Sequence, residues 1–203
     1  MYYNIALIGF GGVNRALANI IGTDPEKFYR EMGFNLRIVA VSDMFLGSVY
    51  SPEGIDLDLL TTLPAAQGAC ATLPNGKATA DNEDIIKNSN ADIVVEATIT
   101  DSMTGQPATS HCRWALSAGK HVSTTNKGPL AFAEKELMAL ALKNNVGFEY
   151  EGVVMSGTPV LRFADKLLKG SEINKFAGIV NGTANYVLGL VEQGYTFADA
   201  ITS

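Results

Sequence analysis

Short, unbroken apolar runs alternate with segments of helical spacing through about the first 150 residues. An unbroken apolar run of this length predicts a strand buried on both faces, as in a parallel sheet covered by helices. Because such strands and helices alternate, the predicted fold class is α/β, with a doubly wound parallel Rossmann sheet and right-handed crossovers. Strands are predicted at residues 5–8, 36–43, 92–97, 120–124 and 146–150, and helices at residues 13–21, 25–30, 84–86, 107–117 and 130–143.

Residues 44–80 interrupt this alternation. Gly, Pro and Ser are spread through them and no hydrophobic period persists, so the sequence predicts a long irregular excursion between the second and third strands. One short helix is predicted inside the excursion, at residues 57–62.

The pattern changes again after Tyr150, where glycine and proline mark a turn-rich junction. We therefore expect one domain at residues 1–150 and the beginning of a second domain at residues 151–203. A region this short with one strand cannot bury a core of its own, so the second domain is expected to be truncated. Its predicted elements are a helix at 160–168, a strand at 176–180 and a helix that begins at 181–183.

Composition narrows the class of protein. With 15 Lys+Arg against 21 Asp+Glu the formal net charge is −6, and no basic cluster is present, which argues against a nucleic-acid partner. No apolar stretch approaches the ~18 residues that span a bilayer, so no membrane partner is expected. The N-terminus has no secretory signal pattern, and Cys70 and Cys112 are far apart, so we expect a reducing, cytoplasmic compartment and no cysteine-based zinc site.

The first candidate for chemistry is a glycine loop, residues 9–13, directly after the first strand. Gly9 allows a tight turn, Gly11 allows main-chain N–H groups to approach a dinucleotide pyrophosphate, and the helix that follows adds positive potential. Asn14 stands where a full G-x-G-x-x-G motif has its third glycine, which normally permits close packing of helix and strand. A plain glycine turn without a ligand is the alternative.

Asp43 closes the second strand, where a carboxylate can accept hydrogen bonds from the adenosine ribose hydroxyls. No arginine follows it directly, and a carboxylate repels a 2′-phosphate, which favours NAD over NADP. The alternative is that Asp43 only caps its own loop.

Three polar segments follow the later strands, at residues 96–101, 123–128 and 151–159. They are expected to line one cleft, because ligands bind outside the carboxyl ends of strands in such sheets. Lys127 lies at the mouth, just before a helix, where its ammonium group can polarise a carbonyl or bind a substrate carboxylate. The alternative is a solvated surface charge. The only histidines, His111 and His121, have no carboxylate at metal-ligand spacing and are interpreted as structural.

Five stretches resemble a known family, the homoserine dehydrogenases, and the similarity extends over essentially the whole chain. The most specific are TNKGPLA within residues 124–131 and GIVNGTANY at residues 178–186; the others are residues 8–13, 95–98 and 151–159. The resemblance implies NAD(P)-dependent interconversion of L-homoserine and L-aspartate 4-semialdehyde, on the route to threonine, methionine and isoleucine. It also implies that residues 1–150 form the NAD(P)-binding domain and that residues 151–203 begin an α+β substrate and dimerisation domain. The full-length protein is then expected to be a homodimer.

The resemblance further implies roles for individual residues. The glycine loop, including Phe10, Gly12 and Val13, corresponds to the pyrophosphate site, and Lys127 corresponds to a lysine at the reacting centre. Thr98 and Thr124 correspond to cofactor contacts near the nicotinamide. Main-chain oxygens bind a sodium ion in the family, and here they correspond to Glu151, Val154, Ser156 and Thr158, an oxygen set that suits a hard cation.

The family continues beyond the position of Ser203 with an acidic segment and a lysine that bind homoserine and transfer a proton. We therefore expect this 203-residue chain alone to bind nucleotide but to turn over little or no substrate. Two other functions stay open at this point: another amino-acid dehydrogenase on the same scaffold, and a non-catalytic module that senses NAD(P).

Overall fold

The computed structural model describes residues 1–203, and the chain divides into a first unit, Met1–Tyr150, and a second unit, Glu151–Ser203. The first unit is built on a seven-stranded sheet with the strand order β4-β3-β2-β1-β5-β6-β7. Its strands are β1 Tyr2–Ile8, β2 Asn35–Asp43, β3 Gly47–Tyr50, β4 Gly76–Lys77, β5 Ile93–Glu96, β6 His121–Thr124 and β7 Phe148–Glu149. Strands β2, β1, β5, β6 and β7 are parallel, which confirms the predicted α/β Rossmann fold.

Helices cover both faces of this sheet. They are α1 Gly12–Thr23, α2 Lys27–Met32, α3 Leu57–Thr61, α4 Asn82–Asn88, α5 Ala108–Ser117 and α6 Lys127–Asn144. Successive side chains of a strand point to opposite faces, so an unbroken apolar run must be buried twice. In β1, Ile5 and Leu7 belong to a buried cluster with residues of α1 and α3, whereas Ala6 and Ile8 belong to a second cluster with residues of α4, α5 and α6.

The predicted irregular excursion contains two strands that the sequence pattern did not indicate. β3 pairs with β2 and β4 pairs with β3, both antiparallel, so the sheet has a mixed edge. Both strands are short and β4 includes no apolar side chain, so the sequence shows no hydrophobic alternation that would predict them. At Gly47, φ is +94° and an added Cβ would lie 2.1 Å from the Lys77 carbonyl oxygen, so β4 can approach only a glycine. The predicted short helix is confirmed as α3.

The second unit is helical. It contains α7 Val160–Arg162, which continues as a π-helical turn at Phe163–Leu167, then α8 Gly182–Glu192 and α9 Phe197–Thr202. The strand predicted at residues 176–180 is wrong, because no strand lies in this unit to pair with that segment. Its side chains are exposed instead, Phe176 by 71% and Ile179 by 65%. Across both units, no helix combines the length and the apolar character needed to cross a bilayer.

Candidate functional site

The glycine loop joins β1 to α1 and presents unobstructed main chain. Gly9 has φ +78°, and an added Cβ would lie 2.7 Å from the Ala97 carbonyl oxygen, so only glycine fits against the end of β5. A Cβ on Gly11 or Gly12 would meet nothing within 4 Å. Gly11 is the N-cap of α1, and no side chain caps this helix. The first N–H groups of α1 are therefore free to bind an anion.

Asn14 occupies the position of the third motif glycine and ties the loop to the sheet. The side chain is fully buried. Its Nδ2 donates to the carbonyl oxygens of Gly9 at 2.6 Å, Ile8 at 3.3 Å and Val95 at 3.3 Å. The Asn14 amide therefore fits between β1 and β5 at the position of the motif glycine and bonds to carbonyl oxygens of both strands and of Gly9.

Asp43 links the glycine loop to the loop after β2. Its Oδ2 accepts a hydrogen bond from the Phe10 main-chain N–H at 2.8 Å. Its Oδ1 accepts from Phe45 at 2.9 Å and Leu46 at 3.0 Å. The carboxylate thus caps the loop. A carboxylate has about four acceptor sites, and because three N–H groups use three of them, one is left for another donor. The Phe10 ring is buried in the core, so Phe10 contributes main chain alone to the loop.

A cleft of about 470 Å³ opens beside the glycine loop, at the carboxyl ends of β5 and β6. We call it the strand-end cleft. It brings together three of the predicted site residues, one on each of three elements: Val13, Thr98 and Lys127. Further hydroxyl groups line it at Thr100, Ser102 and Thr125. Two of the three polar segments expected to share one cleft therefore meet here; the segment at 151–159 belongs to the second unit.

Lys127 is the first residue of α6 and follows the N-cap Asn126. The Lys127 side chain is exposed and forms no ion pair with the described residues. Asn126 is buried, and its Oδ1 accepts from the Gly128 N–H at 3.3 Å and from the Thr100 hydroxyl. Its Nδ2 donates to the Thr98 carbonyl oxygen at 2.8 Å. The cation therefore projects from a helix terminus whose backbone is fixed by side-chain hydrogen bonds.

Thr124 ends β6 directly before Thr125, which lines the strand-end cleft, and is 2% exposed. Its hydroxyl donates to Glu96 Oε2 at 2.9 Å and accepts from the Asn126 N–H at 3.0 Å. The hydroxyl expected to contact the cofactor is therefore committed to two protein groups. Glu96, which accepts the Thr124 hydrogen bond, belongs to the polar segment 96–101, but the sequence pattern predicts no separate role for it.

Glu96 ends β5 with its carboxylate fully buried. Its Oε1 accepts from the Thr98 main-chain N–H at 3.0 Å and from the Thr98 hydroxyl. His111 Nδ1 lies 3.5 Å from the same oxygen, and His111 Nε2 lies 3.0 Å from Asn82 Nδ2. A charged residue that ends an apolar run buried on both faces was the available sequence signal.

The two cysteines are buried and free. Burial raises the pKa of Cys70 to about 11, and the nearby charge of Asp43 contributes in the same direction. Burial, followed by the charge of Glu96, also raises the pKa of Cys112. Both thiols therefore stay protonated at neutral pH, and neither provides a nucleophile.

The expected sodium-binding segment lies in the second unit. The side chain of Glu151 is used locally, since its carboxylate accepts from the N–H groups of Leu161 at 3.1 Å and Arg162 at 2.9 Å. The Thr158 carbonyl oxygen accepts from the Val160 N–H at 2.8 Å. No group of three or more His, Cys, Asp or Glu side chains in residues 1–203 is arranged to bind a metal. Any cation here would depend on main-chain oxygens, including those of Val154 and Ser156.

Two family models match the sequence of this chain. The model of the homoserine dehydrogenase NAD binding domain matches residues 9–151. The homoserine dehydrogenase model matches residues 159–203.

Individual relatives agree with the family models. The chain is 56% identical over 200 residues to the NAD(+)-dependent homoserine dehydrogenase of Pseudomonas canavaninivorans, covering 98% of this chain and 57% of that protein. It is 33% identical to the homoserine dehydrogenase of Methanocaldococcus jannaschii, covering 98% of this chain and 59% of that protein. A hyperthermophilic archaeal homoserine dehydrogenase solved in complex with NADPH is 28% identical, with a TM-score of 0.83 over 100% of this chain and 60% of that one.

The chain thus spans less than two thirds of the length of these relatives. The nucleotide-binding family model alone accounts for most of its residues, and the glycine loop, the strand-end cleft and Lys127 lie within that match. On these grounds the chain belongs to the homoserine dehydrogenase family.

Proposed function

We propose that this chain supplies the nucleotide-binding part of an NAD(P)-dependent oxidoreductase that interconverts L-homoserine and L-aspartate 4-semialdehyde. The observation that carries the proposal is the strand-end cleft, where the N-terminus of α1 at Val13, the loop after β5 at Thr98 and the cation of Lys127 meet. The names of the relatives at 56% and 33% identity support the same activity.

The glycine loop binds the pyrophosphate of the nucleotide. The N–H groups of Gly11, Gly12 and Val13 are the donors, because the Phe10 N–H is already bonded to Asp43. The space that a Cβ would fill at Gly11 and Gly12 is open, so phosphate oxygens can reach the main chain. When bound, the nicotinamide nucleotide supplies the hydride donor or acceptor.

Asp43 binds the adenosine ribose with its remaining acceptor site, which favours NAD over NADP because its charge repels a 2′-phosphate. The relative named as NAD(+)-dependent supports this preference. The hyperthermophilic archaeal relative was solved in complex with NADPH.

Lys127 acts on the substrate. It is the only ionisable side chain that lines the strand-end cleft, and its exposed ammonium group can bind a substrate carboxylate or polarise the carbonyl that receives the hydride. The oxygen that develops charge also needs a proton, and the cleft offers no second ionisable group to supply it. This point supports the expectation that the 203 residues alone bind nucleotide but turn over little or no substrate.

The finer expectations of the sequence are part of the same proposal. Main-chain oxygens of Glu151, Val154, Ser156 and Thr158 bind a sodium ion, with Thr158 using the lone pair that Val160 leaves free. The full-length protein is a homodimer, and the many exposed apolar side chains of the second unit support a covered surface there. It acts in the cytoplasm, on the route to threonine, methionine and isoleucine, and its two free cysteines fit a reducing compartment.

The Lys127→Met variant of the full-length protein tests the proposed activity. Loss of the cation should lower kcat/KM for L-homoserine with NAD⁺ by at least about a hundredfold, because the charge that develops on the substrate oxygen loses its partner. Lys135→Met removes an exposed lysine of the same helix, outside the cleft, and should leave kcat/KM unchanged. Equal loss in both variants, or oxidation of another amino acid in place of L-homoserine, would contradict the proposal.

A further inference from the structure

We propose that Glu96 is a positioning residue of the strand-end cleft, which orients the loop after β5 and the N-terminus of α6 for the nicotinamide end of the nucleotide. This inference rests on the proposed function, because it assigns Glu96 to the same binding site. Glu96 does not line the cleft itself and is fully buried. Its effect therefore passes through other residues.

The carboxylate of Glu96 connects two strand ends. Oε1 accepts from the main-chain N–H of Thr98 at 3.0 Å and from the Thr98 hydroxyl, just after β5. Oε2 accepts from the Thr124 hydroxyl at 2.9 Å, at the end of β6. Both oxygens are acceptors toward these three donors, so a charged carboxylate suits the position and an amide in its place would turn a donor toward one of them.

These bonds continue into a closed ring. Thr124 donates its only hydroxyl proton to Glu96, so its oxygen faces the Asn126 N–H, which donates to it at 3.0 Å. Asn126 Nδ2 donates to the Thr98 carbonyl oxygen at 2.8 Å, which returns to the residue that Glu96 holds. Two members of the ring, Thr98 and Asn126, line the cleft, and Lys127 follows Asn126 directly.

The bonding partners of Glu96 do not suggest an ion pair as the reason for its position. No lysine or arginine lies within 4 Å of the carboxylate, and the nearest ionisable nitrogen is His111 Nδ1 at 3.5 Å. A buried carboxylate costs free energy of desolvation, which its hydrogen bonds must offset. Apart from the contact with His111, its hydrogen bonds go to Thr98 and Thr124 at the two strand ends that lead into the cleft-lining loops. Orientation of these loops is therefore the role that these bonds explain.

The test compares two nucleotides in Glu96→Gln. NAD⁺ reaches the nicotinamide end of the site, whereas ADP carries only the adenosine and pyrophosphate groups. Calorimetry should show NAD⁺ affinity about tenfold lower in the variant, from the lost hydrogen bonds to a charged group, with ADP affinity unchanged. Glu134→Gln, an exposed position on α6 that neutralises the same charge, should change neither affinity.

A second pair of variants decides the matter if Glu96→Gln does not fold. Thr124→Val removes the hydroxyl from the ring and should lower NAD⁺ affinity but not ADP affinity, whereas Thr124→Ser keeps the hydroxyl and should restore wild-type affinity. Equal loss of NAD⁺ and ADP would indicate general damage and overturn the inference, as would no loss of NAD⁺ affinity in a folded variant. If the unaltered chain binds neither nucleotide, the proposed function itself fails, which is a different result.

Discussion

The two units of the chain differ in what stabilises their helices. In the first unit, apolar residues of the strands and helices fill two buried clusters, one on each face of the sheet. In the second unit only Val153 and Ala200 are buried apolar residues. Large apolar side chains there are exposed, including Leu167 by 71%, Phe197 by 60% and Ile201 by 59%.

The helices of the second unit nevertheless have clear local signals. Asn181 caps α8 by accepting from the Ala184 N–H at 2.8 Å. Thr196 caps α9 by accepting from the Asp199 N–H at 3.2 Å. Capping residues thus define helix starts without a core, but strands need partners and cores need a second layer. The comparison teaches that local sequence signals give helices in both units, while burial distinguishes them.

The largest expected effect comes from the same substitution in each unit. Leu7→Ala removes a fully buried side chain from the first unit and should lower the free energy of unfolding by about 2–5 kcal/mol. In the same 203-residue chain, Leu167→Ala removes an exposed leucine from the second unit and should change the free energy of unfolding by less than about 0.5 kcal/mol. Urea unfolding curves measure both. Comparable losses would mean that Leu167 is buried in solution and that the contrast between the units is false.

An intermediate effect is expected at Asp43, and it asks whether the first unit alone selects its nucleotide. Asp43→Asn removes the charge that repels a 2′-phosphate, so the ratio of NAD⁺ to NADP⁺ affinity should fall by roughly tenfold. Asp56→Asn is the matched control, because Asp56 also caps main-chain N–H groups, those of Asp58 and Leu59. Titration of both nucleotides into each variant gives the ratios. An unchanged ratio in Asp43→Asn would leave Asp43 as a loop cap only.

The smallest effect concerns a surface ion pair between α5 and α6, Arg113 and Glu136. The hydrogen bond from Arg113 lowers the pKa of Glu136 in the folded state. The contribution of this ion pair to the free energy of unfolding is therefore present above the unfolded pKa of Glu136. It is lost as the pH falls through the lower pKa of the folded state. Because the pair is exposed, Arg113→Gln should cost less than about 0.5 kcal/mol at neutral pH.

Thermal unfolding of Arg113→Gln and the unaltered chain between pH 3 and pH 7 checks this prediction. The difference between the two proteins should shrink as the medium becomes acidic. A difference that grows toward low pH would contradict the sign of the shift at Glu136.

The sequence predicts those features whose signal lies in one short stretch of the chain. The unbroken run in β1 predicted burial on both faces, and Gly9 predicted a turn that the close approach of Ala97 now explains. Lys127 was placed at a cleft by its position after a strand, and it lines one. In each case a short stretch of sequence predicts the feature, even where the residue that it contacts, such as Ala97 against Gly9, lies far along the chain.

Other features depend on residues distant in sequence and could not be predicted. The bond between Thr124 and Glu96 joins two strand ends that come together only in the folded sheet. β4 forms because it pairs with the free edge of β3, which is far from it in the sequence. The segment at 176–180 has the composition of a strand but no partner within its unit. Asn14 departs from the glycine motif, and one of its hydrogen bonds goes to the carbonyl oxygen of Val95, which belongs to another strand.

The most direct test of nucleotide binding by the glycine loop is calorimetric titration of the chain with NAD⁺. The unaltered chain should bind NAD⁺ at one site. Gly11→Ala adds a methyl group where the fold leaves open space, so it should keep the unfolding temperature and weaken NAD⁺ binding at least about tenfold. Gly22→Ala, in the same helix with only ordinary contacts at 3.7 Å, should bind as the unaltered chain does. Absence of NAD⁺ and NADP⁺ binding by the unaltered chain, or full binding by Gly11→Ala, would contradict a pyrophosphate site at this loop.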